Sequence, residues 1–335
     1  MNPSQNSLPV LHASRLAEPD PDCRWMIEPL WLRSAVGIVG GPPKANKTYL
    51  ALDIALSVAS ATPCLGTFPV RDPGTVLIYM AEDSQATIKE RILALCRHRD
   101  LALDALPIHV ITAPVLRLDL PADRHRLATT LEIYKPKLLV LDPLVRMHAV
   151  NENDAKEISA LLGYLRELQR SHRTSVLLVH HARKNGSSSA SGGQNLRGSG
   201  DLHAWSDSSL YLRRRGHKVI VTPEHRSAPA PDPLALALIG ASNEQSDAHL
   251  EIVDNTAEAD PERVQLEDKL IECLRAAPQS RTQLRATLHV RNEKLGHLLD
   301  HLAAQGRIVH HQNLWRVPFP QAHQGNGTGA LRMPA

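Results

Sequence analysis

From about residue 35 to residue 255, short β-branched or leucine-rich runs alternate with longer helical patterns, and that alternation leaves few folds open to the chain. It implies an α/β architecture, a mainly parallel sheet covered by helices. The expected strands are 35–39, 75–80, 108–111, 137–141, 175–179, 209–212, 218–221 and 234–239. The helix after the first strand carries Leu50, Leu52, Ile54, Leu56 and Val58 and is apolar on nearly all sides, as expected of a helix enclosed between a sheet and its neighbours. Another, near 154–170, shows a single stripe of Ile158, Leu161, Leu162, Leu165 and Leu168.

Composition narrows the class. At 335 residues the chain exceeds one ordinary core, so two folded domains are expected. Hydrophobic content of 42% and charged content of 22% suit a soluble globular protein. No run approaches the roughly 18 apolar residues of a bilayer span, so no membrane role is expected. A net charge of +3 permits a nucleic-acid partner without arguing for one. Cys23, Cys64, Cys96 and Cys273 are scattered, without Cys-x-x-Cys or Cys/His groupings, which points away from a disulfide framework or zinc site and towards a reducing cytoplasm.

Residues 1–22 lack the order of a secretory signal and read as a flexible lead-in. The main domain is expected over 23–255, an acidic linker over 256–261, a second domain over 262–318 and a disordered tail over 319–335. Within the main domain, residues 184–200 read KNGSSSASGGQNLRGSG, too poor in apolar side chains to order themselves, and are expected to form a mobile loop.

The strongest chemical signal is Gly41-Pro42-Pro43-Lys44-Ala45-Asn46-Lys47-Thr48, set between a strand and a helix. A loop so placed offers backbone N–H groups and a helix N-terminus to phosphates, with Lys47 for the β and γ oxygens of ATP and Thr48 for Mg²⁺. One position departs from the pattern: Asn46 stands where glycine is usual, although asparagine tolerates left-handed backbone better than most residues. The run Lys137 to Asp142 is a buried strand ending in a carboxylate, the Walker B form, in which the acid contacts Mg²⁺ directly or through water. Glu82 and Asp83 follow another buried strand, VLIYM; a carboxylate there can activate water, while an acidic helix cap suits Asp83 better than Glu82.

Five segments in this order resemble RecA-like P-loop ATPases of the RepA type, the hexameric helicases of broad-host-range plasmids and their mobile-element relatives. They are WMIEPLWLRSAVGIVGGPPKANKTYLALDIALSVA, VLIYMAEDS, LLVLDPLVRMH, VLLVHHARK and LRGSGDLHAWSDSSLYL. The resemblance implies a RecA-like fold, hydrolysis of ATP with Mg²⁺, action on DNA, chiefly single-stranded, and assembly into a homo-oligomeric ring. It implies Glu82 as catalytic base, Asp142 as Mg²⁺ carboxylate, and His181 rather than His180 as γ-phosphate sensor, since a basic residue, Arg183, follows two places on. It also implies an arginine acting on the next subunit's nucleotide. Arg226 is the candidate, although Glu224 stands where the family often has lysine and Arg213, Arg214 and Arg215 compete. The 184–200 loop sits where such rings present DNA-contacting segments, with Arg183, Lys184 and Arg197 at its edges; a plain solvated linker is the other reading.

Residues 262–317 follow a helix, short helix, longer helix, two-strand order that resembles a winged helix. Arg291, Asn292, Lys294 and His297, at the start of the third helix, would face a DNA groove, or the unit would dock a protein. The motor reading has a rival, an ATP-dependent regulator that binds DNA or a partner with weak or no hydrolysis.

Overall fold

A computed structural model describes residues 8, 10–16, 24–150, 155–181, 199–240, 247–254, 261–290, 292–311 and 313–318. The chain divides into two compact units, 1–255 and 256–335. In the first, a ribbon of β1 (Trp25–Ile27) and β2 (Trp31–Leu32) precedes β3 (Val36–Gly41), α1 (Lys47–Ser60), β4 (Val76–Met80) and α2 (Gln85–His98). There follow β5 (Ile108–Val110), α3 (Pro121–Tyr134), β6 (Leu138–Asp142), α4 (Ala155–His172), β7 (Ser175–His181) and α5 (Ser199–Trp205). Four strands close the unit: β8 (Ser208–Arg215), β9 (Lys218–His225), β10 (Leu234–Ile239) and β11 (His249–Val253).

Nine of these strands form one sheet in the order β11-β10-β9-β8-β3-β7-β6-β4-β5. Pairing is parallel from β8 through β5 and antiparallel from β8 outward to β11. Strands buried on both faces need no polar alternation, which is why VGIVGG, VLIYM and LLVLD are buried at every position. Successive side chains still point to opposite faces. Val39, Ile78, Val140, Leu177 and Val179 pack with α1 and α2. Ile38, Leu77, Leu139, Leu141, Val176 and Leu178 pack with α3, α4 and α5. The eight expected strands are all present with ends shifted by a few residues, and α1 is buried from Leu50 to Val58 as its composition requires.

Three local expectations are corrected. The acidic helix cap at Asp83 is absent: Ser84 caps α2, accepting the Thr87 N–H, and Asp83 pairs with Arg91 at 2.5 Å. The loop expected to run to Gly200 gives way to α5 at Ser199, a helix with Asp201 in its first turn and Leu202 fully buried. Pro261, read as the linker's end, is the first residue of a helix, where its fixed φ and missing N–H cost nothing.

The second unit comprises α6 (Pro261–Ala276), α7 (Arg281–Leu288), α8 (Asn292–Ala304) and an antiparallel pair, β12 (Val309–His311) with β13 (Leu314–Arg316). Its core gathers Leu270, Ile271, Leu274, Leu284, Leu295, Leu298, Leu299, Leu302 and Ile308. Ser280 and Gln283 form a reciprocal capping box that starts α7, and Gly306, at φ 69°, follows α8. Among the described residues no helix is long and apolar enough to cross a membrane.

Candidate functional site

The loop from Gly41 to Thr48 leaves the C-terminal end of β3, the central strand of the nine with a parallel neighbour on each side, where open α/β sheets place their ligands. Gly41 is required by close approach: a Cβ there would lie 2.6 Å from the Leu212 carbonyl oxygen on β8. Lys44 has φ 61°, and Asn46, at φ 59° and ψ 27°, occupies the left-handed region that makes glycine usual at its position. As N-cap of α1 Asn46 makes no side-chain capping bond. The first N–H groups of the helix thus lack both an intrahelical partner and a side-chain cap, the arrangement that suits an anionic oxygen.

Lys47 is 5% exposed and its Nζ donates to the Pro42 carbonyl at 2.8 Å. Burial lowers its pKa to about 8, against the pull of Asp142 and Glu82 in the other direction. Next to it Thr48 Oγ1 donates to Asp142 Oδ2 at 2.7 Å. Asp142 is 7% exposed at the end of β6; burial raises its pKa to about 6, and the neighbouring Asp83 and Glu82 charges add to the rise, while the Thr48 bond and Lys47 oppose it. A carboxylate disfavoured by burial and flanked by acids has much to gain from a cation. The hydroxyl–carboxylate pair beneath an uncapped helix terminus therefore fits Mg²⁺ carried on a nucleotide triphosphate, a cation that takes one or two protein oxygens and leaves the rest to phosphate and water.

Glu82 stands just beyond β4, whose register pairs Met80 with Asp142. Arg146, in a short 3₁₀ turn, Leu144–Arg146, after Pro143, donates its Nε to Glu82 Oε1 at 2.7 Å. Sequence reading missed Arg146. Its signal was the cation four residues past Asp142 in LDPLVR, which the β4–β6 pairing sets beside the segment that follows VLIYM.

The parallel register sets His181 beside Gly41 and His180 beside Gly40. Alternation puts His181 on the face of Val179, which packs with α1, and His180 on the opposite face with Leu178. His180 is 1% exposed. Of the two histidines, His181 is on the same face of the sheet as the helix that the phosphate loop opens.

Arg226 is not brought to this edge. Asp207 donates its N–H to the Val36 carbonyl, at the N-terminal end of β3, and its own carbonyl accepts the Arg226 N–H at 2.9 Å; the Arg226 guanidinium lies 3.7 Å from the Asp207 carboxylate. Asp207 also pairs with Arg166 and accepts the Val36 N–H. Arg226 is thus a β3 length, roughly 16 Å at about 3.3 Å per residue, from its own phosphate loop. Arg213 to Arg215 lie at the other end of β8, past the Tyr211–Gly40 pairing and so on the phosphate-loop edge. Arg183, Lys184, Arg197 and Arg291 fall outside the described residues, and Asn292 and Lys294 stand in the first turn of α8.

Residues 2–187 match the family described as AAA domain, a match that reaches into the segment read as a lead-in. Among solved structures the chain is similar to a DnaB-like replicative helicase, studied with its interactions with primase. Identity is 15% and the TM-score 0.50, over 66% of this chain and 58% of that one, so the chain spans less than two thirds of that helicase. It is also similar to the RadB recombinase, at 17% identity and a TM-score of 0.46, over 66% of this chain and 92% of that one. At such identities the helicase likeness bears on fold alone, and it agrees with the sheet order: the first unit is RecA-like.

Proposed function

The chain belongs to the AAA domain family, and from that premise we propose that it is an ATP-hydrolysing motor acting on DNA, a ring helicase of the RepA type serving replication of a plasmid or other mobile element in the cytoplasm. In this reading Gly41 to Thr48 grip the phosphates of ATP, Lys47 neutralises the β and γ oxygens, and Thr48 and Asp142 hold Mg²⁺. The ion supplies charge neutralisation at the phosphates. Glu82 takes the proton of the attacking water, with Arg146 as the group that positions it. His181 reports the γ-phosphate to the residues that follow it in sequence, where Arg183, Lys184 and Arg197 hold single-stranded DNA. The unit at 262–318 serves as a winged helix for site choice or recruitment, through Arg291, Asn292 and Lys294 where the partner is DNA.

The position of Arg226 carries the ring assignment. An arginine a strand's length from its own phosphate loop, beside Asp207 and exposed, cannot reach that loop's γ-phosphate and is available to a neighbouring copy. The rival reading, a regulator with weak hydrolysis, draws on Glu224, which occupies the place where the family often has lysine and lies 3.6 Å from His203.

Mixing Arg226→Ala with Lys47→Ala subunits tests this. Each variant alone is expected to be inactive, and the mixture to regain part of the ATP turnover, because some interfaces then join an intact loop to an intact arginine. Co-assembled mixtures that stay inactive at every ratio would place the trans-acting group elsewhere.

A further inference from the structure

The hairpin of β8 and β9 ends in a cationic tip that the nucleotide site does not use. The two strands pair right up to the turn, the last residue of β8, Arg215, with the first of β9, Lys218, across two residues of which Gly216 takes φ 60°. Arg213 and Arg214 are exposed and Arg215 is half-buried. Unlike Arg33, Arg91, Arg99, Arg117 and Arg166, each ion-paired, these three have no carboxylate within ion-pair distance among the described residues.

Three guanidinium groups in a row repel one another. Arg213 lies two residues from Arg215 on the same face of the strand, and Arg214 stands between them on the other. Across the ladder Arg215 pairs with Lys218, whose Nζ donates to the Asp254 carbonyl at 3.3 Å. Repulsion among three successive guanidinium groups is relieved by a polyanion with several charges at close spacing, not by a single carboxylate.

Position narrows the polyanion. β3 lies between β8 and β7, so the hairpin is about two strand spacings, roughly 10 Å, from the strand that ends at His181. The tip extends four residues past Tyr211, the last to pair with β3, or roughly 13 Å along the strand.

We infer that the β8–β9 tip, through Arg213, Arg214 and Arg215, is a contact for the phosphate backbone of nucleic acid, on the sheet edge where β7 also ends. The inference rests on the DNA-acting reading above. Its contacts are to phosphate and so independent of sequence, and each one lost removes a released counterion from the binding equilibrium.

The test uses the full chain in a defined oligomeric state and a labelled homopolymeric single-stranded oligonucleotide, titrated from about 50 to about 200 mM salt. Replacing all three arginines with alanine is expected to make the slope of log affinity against log salt shallower by about 2, since each single-strand phosphate contact contributes about 0.7. Replacing them with lysine is expected to keep the slope. The alanine variant is expected to unfold at no lower temperature than the parent, because it removes repulsion, and this separates lost contacts from lost fold. Parent-like affinity and slope in the alanine variant overturn the inference; if alanine at Arg183, Lys184 and Arg197 then weakens binding, the DNA reading survives. A parent chain that binds no oligonucleotide at the lowest salt overturns both. An alanine variant that binds DNA normally but loses ATP turnover assigns the arginines to the nucleotide instead.

Discussion

Asn46 shows at one residue how the phosphate loop departs from its pattern without losing its shape. Its left-handed backbone is one that asparagine enters at lower cost than other side chains, so the loop geometry persists where glycine is missing. In the proposed mechanism, function depends on Lys47 and Glu82. Lys47→Ala is expected to abolish turnover by removing the phosphate clamp, whereas Glu82→Gln is expected to retain nucleotide binding and block hydrolysis; equal loss of binding in both would contradict the role of Glu82. Asp142 makes a pH prediction of definite sign. Its folded pKa, about 6, lies above the ordinary 3.8, so the folded chain holds the proton more tightly than the unfolded one. The resulting stability is complete below the unfolded value and lost as pH rises through about 6. Holding the proton that much more tightly is worth about 3 kcal/mol, an upper figure because Lys47 loses its partner when the charge goes. Asp142→Asn should therefore match the nucleotide-free parent near pH 4 and exceed it by about 1 to 3 kcal/mol above pH 7. Unfolding curves that stay parallel across that range would contradict the burial argument. Nucleotide binding with Mg²⁺ should show the opposite trend, strengthening as the carboxylate ionises.

The elements that hold these residues were legible in the sequence to different degrees, for physical reasons. Strands buried on both faces announce themselves as unbroken apolar runs, so β3, β4, β6 and β7 and the acid at the end of β6 could be read directly. The β1–β2 ribbon could not: three residues and two carry no period, and their pairing depends on Trp31 and Ile27 entering the α1 side of the core. Neither could α5, whose first turn has the composition of the loop before it, nor the Glu82–Arg146 pair, which exists only because β4 and β6 are neighbours. Side-chain clamps between helices are invisible to periodicity for the same reason. Asp53 on α1 and Arg99, the C-cap of α2, meet at 2.5 Å with side chains 3% and 9% exposed, and Arg99 also donates to Ser57 and Thr62. Arg99→Ala leaves the Asp53 charge buried with, among the described residues, only the Leu65 N–H and Cys64 thiol as donors. The expected loss is roughly 3 to 5 kcal/mol, read by denaturant unfolding. A loss below about 1 kcal/mol would mean that the pair is solvated.

At the scale of the whole molecule, the sheet separates two chemistries. The phosphate loop, Asp142, Glu82, His181 and the β8–β9 tip share the C-terminal edge of the parallel strands, and Arg226 lies at the other end. A copy whose Arg226 end met the next copy's phosphate-loop edge would build a head-to-tail assembly, which closes into a ring when the rotation permits. In the reading proposed above, His181 couples the γ-phosphate to DNA, so bound DNA should change the rate of hydrolysis. The most direct measurement is ATP turnover with and without single-stranded DNA, at low and moderate salt, on a sample of known oligomeric state. A motor acting on DNA is expected to show turnover that single-stranded DNA accelerates, with an acceleration that weakens steeply as salt rises through counterion release. Measurable turnover indifferent to every DNA tested would contradict the motor, and background turnover beside tight ATP binding would favour the regulator.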